Sequence, residues 1–264
     1  MKVKGKTIIV TGAGSGMGQT IVLELIKRGA KVIMADINEE GMEETQALAK
    51  VKEAILRGYK LNISDREAVN IFKDKVIEQF GAVDGIINNA GIIQPFIPIN
   101  ELDIETIERV MNINFYGALY LTKAFLPHFL ARPEAHITNV SSMGGFIPFP
   151  GQTAYGASKA ALKLLSEGLH SELQGTNVQL TVVFPGAVKT KITENSGVEM
   201  RESSENQQSY KTLSAEDAAL QIVNAIEKNK YRVMVGKDAK FLNIFYRLFP
   251  KKASLFIAKK MKQM

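Results

Sequence analysis

The chain has 264 residues, 45% of them hydrophobic and 23% charged, so it can bury a sizeable core and is not a disordered polymer. It has no cysteine and only three scattered histidines (His128, His136 and His170). This excludes disulfides, thiolate metal sites and a cysteine nucleophile, and it leads to the expectation of no metal site. The net charge of +6 is local: seven basic residues and no acidic one lie between Lys240 and the end, and removing them leaves −1 for residues 1–239. Such a distribution argues against a nucleic-acid surface.

Strand and helix patterns alternate along the chain. Apolar, β-branched runs and helical spacing predict a strand at 7–10, a helix at 19–28, a strand at 31–36 and a helix at 39–50. A strand within 54–63, a helix at 65–80 and a strand at 84–88 follow. Next come a helix over 104–130 broken at Pro127, a strand at 135–141, a helix at 153–174 and a strand at 178–184. A helix at 215–228 and a strand at 231–235 complete the series. Seven strands separated by helices imply a doubly wound α/β fold, a mostly parallel seven-stranded sheet with helices on both faces.

No linker or repeat divides residues 1–239, which are expected to form one domain. Within them, 189–213 is polar and aperiodic and follows a strand end, the pattern of a lid. Residues 240–264 read as a basic amphipathic helical tail, with Phe241, Ile244, Phe245 and Leu248 on one face and Pro250 interrupting it. Peripheral contact with an anionic membrane and packing on the protein body both fit that pattern. No apolar run reaches the ~18 residues of a membrane span, and the three apolar residues at 8–10 are too few for a secretory leader, so a cytoplasmic protein is expected.

Two groups of residues carry chemistry. Gly12, Gly14, Gly16 and Gly18, with Ser15 and Met17 among them, sit between a predicted strand and a predicted helix. Glycines there allow a tight turn whose N–H groups approach a pyrophosphate at a helix N-terminus. Asp36 ends the second predicted strand, with Ile37 after it. A carboxylate in that place accepts from ribose hydroxyls and repels a 2′-phosphate, so NAD is expected, with NADP still admissible. The second group is Tyr155 and Lys159, four residues apart on one face of a predicted helix. A neighbouring ammonium lowers a phenol's pKa from its usual ~10, so the pair could exchange a proton with an alcohol or ketone oxygen.

With these motifs the sequence resembles the short-chain dehydrogenase/reductase family over about residues 5–236. The matches run in order through Thr11-Gly12…Gly16-x-Gly18, Asn88-Asn89-Ala90-Gly91, Asn114-x-x-Gly117, Ser142, Tyr155…Lys159 and Pro185-Gly186 with Val188 and Thr190. The resemblance implies a Rossmann-like fold and gives Tyr155 as acid/base, Ser142 as a donor to the substrate oxygen, and Lys159 on the nicotinamide ribose. Ser141 competes with Ser142 for that role, and Asn112 with Asn114. Asn114 is implied to support a water-linked proton path to Lys159. Asn89 and Ala90 would steady the sheet and pass beside the adenosine ribose, Gly91 would allow close backbone approach, and in the Pro185-Gly186 turn after the sixth strand the Val188 backbone and the Thr190 hydroxyl would hold the carboxamide. Asn62, followed by Ile63, stands where many relatives have an aspartate facing adenine; its amide carbonyl could still accept there. The tyrosine–lysine gap sets the chain apart from the superfamily's enoyl reductases.

The implied activity is NAD-dependent interconversion of a secondary alcohol and a ketone by hydride transfer. The alternatives are an NADPH-dependent carbonyl reductase and a dinucleotide sensor without turnover. Met143, Phe146, Ile147 and Phe149 after Ser142, Ile92, Ile93 and Phe96 after Gly91, and Val188 and Ile192 in the lid suggest a lipophilic small-molecule substrate such as a steroid, retinoid or fatty-chain carbonyl. The resemblance further implies a homodimer or homotetramer built on the helices holding Asn114 and Tyr155.

Overall fold

The computed structural model describes residues 1–52, 55–198 and 212–261. Its sheet is built from β1 (Thr7–Thr11), β2 (Lys31–Asp36), β3 (Leu56–Lys60), β4 (Gly85–Asn88), β5 (Ala135–Val140), β6 (Val178–Pro185) and β7 (Arg232–Val235). All pairings are parallel, in the order β3-β2-β1-β4-β5-β6-β7. This is the expected doubly wound, Rossmann-like sheet. β1 and β2 read as largely apolar runs and β4 and β5 are buried throughout, because both faces of the sheet are covered.

On one face, Ile8, Val10, Val32 and Met34 pack with Ile21, Leu25 and Ile222 of α1 (Gly16–Lys27) and α8 (Ala215–Glu227). On the other, Ile9, Ile33 and Ile137 pack with Phe72 of α3 (Arg66–Phe80), Phe125 of α5 (Ala118–Leu130) and Leu169 of α6 (Thr153–Glu172). The chain reverses its direction of winding between β1 and β4, and the C-terminal ends of these two strands open the crevice where such sheets take ligands.

Two local expectations need correcting. The first helix begins at Gly16, inside the glycine turn, not at residue 19. The helix expected over 104–130 is three pieces: α4 (Ile104–Met111), a π turn (Asn112–Gly117) and α5. Pro127 lies within α5 without ending it; the interruption is the π turn, and π turns insert one extra residue and re-aim the side chains there. Gly117 closes that turn because a Cβ would sit 2.6 Å from Ile63 Cδ1. Of the strand expected within 54–63, Leu56–Lys60 forms, and residue 54 lies outside the described residues. Of the lid, α7 (Ile192–Asn195) is helical, and 199–211 lie outside the described residues.

The tail forms two helices, α9 (Lys237–Leu248) and α10 (Pro250–Met261), with Pro250 as the first residue of the second, a position that needs no N–H. Leu242, Ala253 and Ile257 pack with Ile147, and Met143, Phe146 and Phe149 join the same cluster. The residues after Ser142 that were expected to border substrate are thus largely turned toward the tail; Ile147 is fully buried there. Among the described residues no helix is long and apolar enough to cross a membrane.

Candidate active site

The crevice at the ends of β1 and β4 is lined by Gly12, Ser15, Gly16, Met17 and Gly18 of the glycine turn, by Asp36, Ile37, Asn62 and Ile63 on one side, and by Asn89, Ala90, Gly91 and Thr190 on the other. Gly12 and Gly16 have φ of +64° and +52°, the left-handed region that disfavours side chains. Gly18 is required for a different reason: a Cβ would lie 1.8 Å from the Gly12 carbonyl oxygen. The chain therefore leaves bare backbone at the N-terminus of α1.

Gly14 does not line the crevice; its N–H donates to Asp36 Oδ2 at 2.8 Å. Asp36 Oδ1 accepts from the Asn38 N–H at 3.0 Å, which fixes the carboxylate at the mouth of the turn with lone pairs to spare. Asn89 Nδ2 donates to the Thr11 carbonyl at 3.0 Å and ties β4 to the turn, while its buried Oδ1 has no hydrogen-bond partner. Asn62 also lines the crevice, and its carbonyl oxygen accepts from the Ser64 N–H and hydroxyl.

Ser142, Tyr155, Lys159 and Asn114 meet at the adjoining end of β5. Ser142 lies just past β5 in extended conformation and accepts from the Gly144 N–H at 3.0 Å. The Ser142 hydroxyl and the Tyr155 ring both border Gly144, where an added Cβ would lie 3.5 Å from Ser142 Oγ and 3.4 Å from Tyr155 Cε1. Ser141, the competing serine, is buried and donates to the Lys159 carbonyl at 2.8 Å, away from the tyrosine. Lys159 is 3% exposed and its Nζ donates to the Val140 carbonyl at 3.0 Å.

The electrostatics depart from the expectation of a lysine-lowered phenol. Burial raises the Tyr155 pKa, and the bond from Ser142 opposes that rise. Burial also pushes the Lys159 ammonium down to about 8. Desolvation is the largest cause of both shifts.

Asn114 is buried in the π turn, and the competing Asn112 is exposed. The Asn114 side chain bonds both backbone groups of Ile92 at 2.9 Å and donates to Ser158 Oγ at 3.0 Å. Gly91 makes room here: a Cβ would lie 3.0 Å from both Asn114 Oδ1 and Lys159 Nζ.

Pro185 ends β6, and neither it, Gly186 nor Val188 lines the crevice. Val188 pairs with Leu213, so the two ends of the lid are zipped together. Thr190 lies against Gly16, and Asn195 of α7 donates to Ser15 Oγ at 2.7 Å, drawing the lid over the glycine turn.

Two residues went unnoticed in the sequence. Gln94 is fully buried; its Oε1 accepts from the N–H groups of Ala154 and Tyr155 at 2.8 and 3.0 Å, and its Nε2 donates to the Gly151 carbonyl. It caps the first turn of α6 and sets the backbone of the tyrosine. Its signal was available as a lone polar residue between Ile92-Ile93 and Pro95-Phe96. Asp238, in the first turn of α9, accepts from the Ala187 N–H at 2.7 Å, and its carboxylate fills the space a Gly186 side chain would need. The tail helix thereby holds the turn after β6. Asp238→Ala is expected to weaken NAD binding about tenfold by loosening this turn, and to leave ADP-ribose affinity unchanged. Titration of both ligands checks it, and an equal loss for the two would show a merely structural role.

A bare glycine turn at a helix N-terminus, a fixed carboxylate and a serine–tyrosine–lysine cluster define a dinucleotide-dependent oxidoreductase. The short chain dehydrogenase family model matches residues 6–201, and the chain belongs to that family. It is 36% identical over 255 residues to the oxidoreductase SadH of Mycobacterium tuberculosis, covering 93% of this chain and 91% of the relative. It is 32% identical over 203 residues to the 3-oxoacyl-[acyl-carrier-protein] reductase FabG of Thermotoga maritima, covering 77% and 82%. A Burkholderia phymatum short chain dehydrogenase/reductase solved in complex with NAD superposes with a TM-score of 0.83 at 25% identity, over 94% of this chain and 96% of that one. A Burkholderia cenocepacia relative in complex with NADP, 23% identical, shares the fold with a TM-score of 0.81 over 97% and 99%. The chain is an NAD(P)-dependent dehydrogenase/reductase. Its crevice fits such a dinucleotide: Gly12, Gly16 and Gly18 bring no side chain of their own to the turn a pyrophosphate would approach, and Asn89 offers an unsatisfied acceptor.

Proposed function

We propose that the protein interconverts a secondary alcohol and a ketone with NAD, residues 1–239 forming one catalytic domain and 189–213 its lid. The observation that carries this reading is that the Ser142 hydroxyl and the Tyr155 ring meet at Gly144, with the buried Lys159 ammonium one turn further along the same helix. Bound nicotinamide supplies the hydride donor or acceptor. Tyr155 exchanges a proton with the substrate oxygen, and Ser142 donates a hydrogen bond to it. Lys159 holds the nicotinamide ribose, and Asn114 keeps the loop after β4 against Lys159, supporting the proton path. Ile92 and Ile192 at the crevice support an apolar substrate. The Val188 backbone and Thr190 would take the carboxamide, with Pro185 and Gly186 shaping their turn.

Asp36 supports NAD over NADP. Asp36→Asn keeps an acceptor for Gly14 and removes the charge facing a 2′-phosphate. It is expected to raise NADPH affinity by roughly tenfold or more while NADH affinity falls. Fluorescence titration of both reduced cofactors checks this, and a wild-type protein that prefers NADPH would reverse the assignment.

The same reading gives a homodimer or homotetramer in the cytoplasm, with residues 240–264 in peripheral contact with membrane. Sedimentation of the purified protein tests the assembly, and a monomer would remove it.

A further inference from the structure

The catalytic reading makes no use of the outer face of α9 and α10. Their inner face is spent on Ile147 through Leu242, Ala253 and Ile257. The outer face leaves Phe241, Ile244, Leu248, Phe249, Leu255 and Phe256 exposed. These are not scattered. Phe245 joins Phe241, Phe249 and Phe256 at centroid separations of 5.6, 6.4 and 5.9 Å, so the rings form one patch across both helices. Lysines border it: Lys252 Nζ lies 5.4 Å from the Phe249 ring and Lys260 Nζ 5.4 Å from the Phe256 ring. No acidic residue follows Asp238, whose carboxylate is engaged by Ala187.

We propose that this aromatic patch and its border of lysines and Arg247 dock on an anionic lipid bilayer. The proposal rests on the peripheral contact inferred above and names its residues and its lipid. Charge decides between the occupants. A second copy seated symmetrically would bring two acid-free, strongly basic faces together, which is repulsive. An anionic headgroup layer is complementary to the same charges, and the rings and aliphatic chains reach the hydrocarbon boundary below it. Ile244, Leu248 and Leu255 are suited to acyl chains and give stacked nucleic-acid bases nothing to pair with. The docking helices also cover the segment that follows Ser142, so the lipid face lies one helix layer from the catalytic end of the sheet.

The test is flotation of the full chain with phosphatidylcholine vesicles, with and without phosphatidylglycerol, while turnover of a soluble ketone is followed on the same samples. The expected result is flotation with the anionic vesicles only, declining as salt is raised. The double substitution Phe241→Ser with Leu248→Ser should weaken that binding by at least about tenfold at unchanged ketone turnover and melting temperature. Absence of flotation with anionic vesicles overturns the proposal. So does flotation that the double variant leaves intact, or a change of oligomeric state in that variant without vesicle binding, which assigns the patch to a second copy. Vesicle binding by a protein that turns over no substrate supports the docking surface and counts against the catalytic reading alone.

Discussion

Tyr155→Phe is expected to lower kcat about 10²–10⁴-fold while cofactor affinity and melting temperature stay near those of the wild type. The ring remains packed beside Gly144 and only the hydroxyl is lost. Steady-state kinetics beside an NADH titration separate the two effects, and retained turnover would remove the tyrosine from the mechanism. The pH profile gives a second readout. Alcohol oxidation needs the phenolate, so its rate should rise with pH along a limb that belongs to the Tyr155–Lys159 pair jointly. The Ser142 hydroxyl opposes the burial that raises the phenol, so Ser142→Ala should move this limb to higher pH as well as lower the rate. A limb that stays in place would mean that Ser142 acts only as the cap of the turn at Gly144.

The second large effect is at Gly18. Gly18→Ala places a methyl group 1.8 Å from the Gly12 carbonyl oxygen and 2.7 Å from Asn89 Nδ2, both held by the strand ends. Neither neighbour is the tip of a flexible chain, so the turn must open. The expected result is a loss of about 3 kcal/mol or more in stability and at least about a hundredfold in dinucleotide affinity. Denaturant unfolding and cofactor titration measure the two. A stable variant that still binds would show that the turn is more pliable than its packing suggests.

Much of this architecture was legible because it is local. Residues 31–36 read as a strand from composition alone and form β2 over the same span. The glycine turn, Asp36 and the Tyr155–Lys159 spacing are short-range patterns, and the fold gathers them at neighbouring strand ends. What escaped depends on partners far along the chain. Gln94 bonds Ala154 across 60 residues, and Asp238 reaches Ala187 across 51. No periodicity encodes either contact. The resemblance placed a turn inside a helix at Asn114-x-x-Gly117, where the π turn lies, but periodicity alone leaves the helical pattern almost continuous there, and Pro127 was the more conspicuous but wrong marker of the break. Ile147 and Phe149 read correctly as apolar and incorrectly as substrate-facing, because hydrophobicity does not say which surface will cover it. The phenol's pKa was misjudged because four-residue spacing shows that a lysine is near but not how dry the site is.

The most direct test of the central claim is reduction of NAD by the purified protein across a panel of apolar and polar secondary alcohols, followed by absorbance of the reduced nicotinamide. Apolar members of the panel are expected to reduce NAD, and that activity is expected to disappear in Tyr155→Phe. Tight NAD binding with no alcohol oxidised, and no ketone reduced by NADH, would contradict it and leave a dinucleotide-binding protein without turnover.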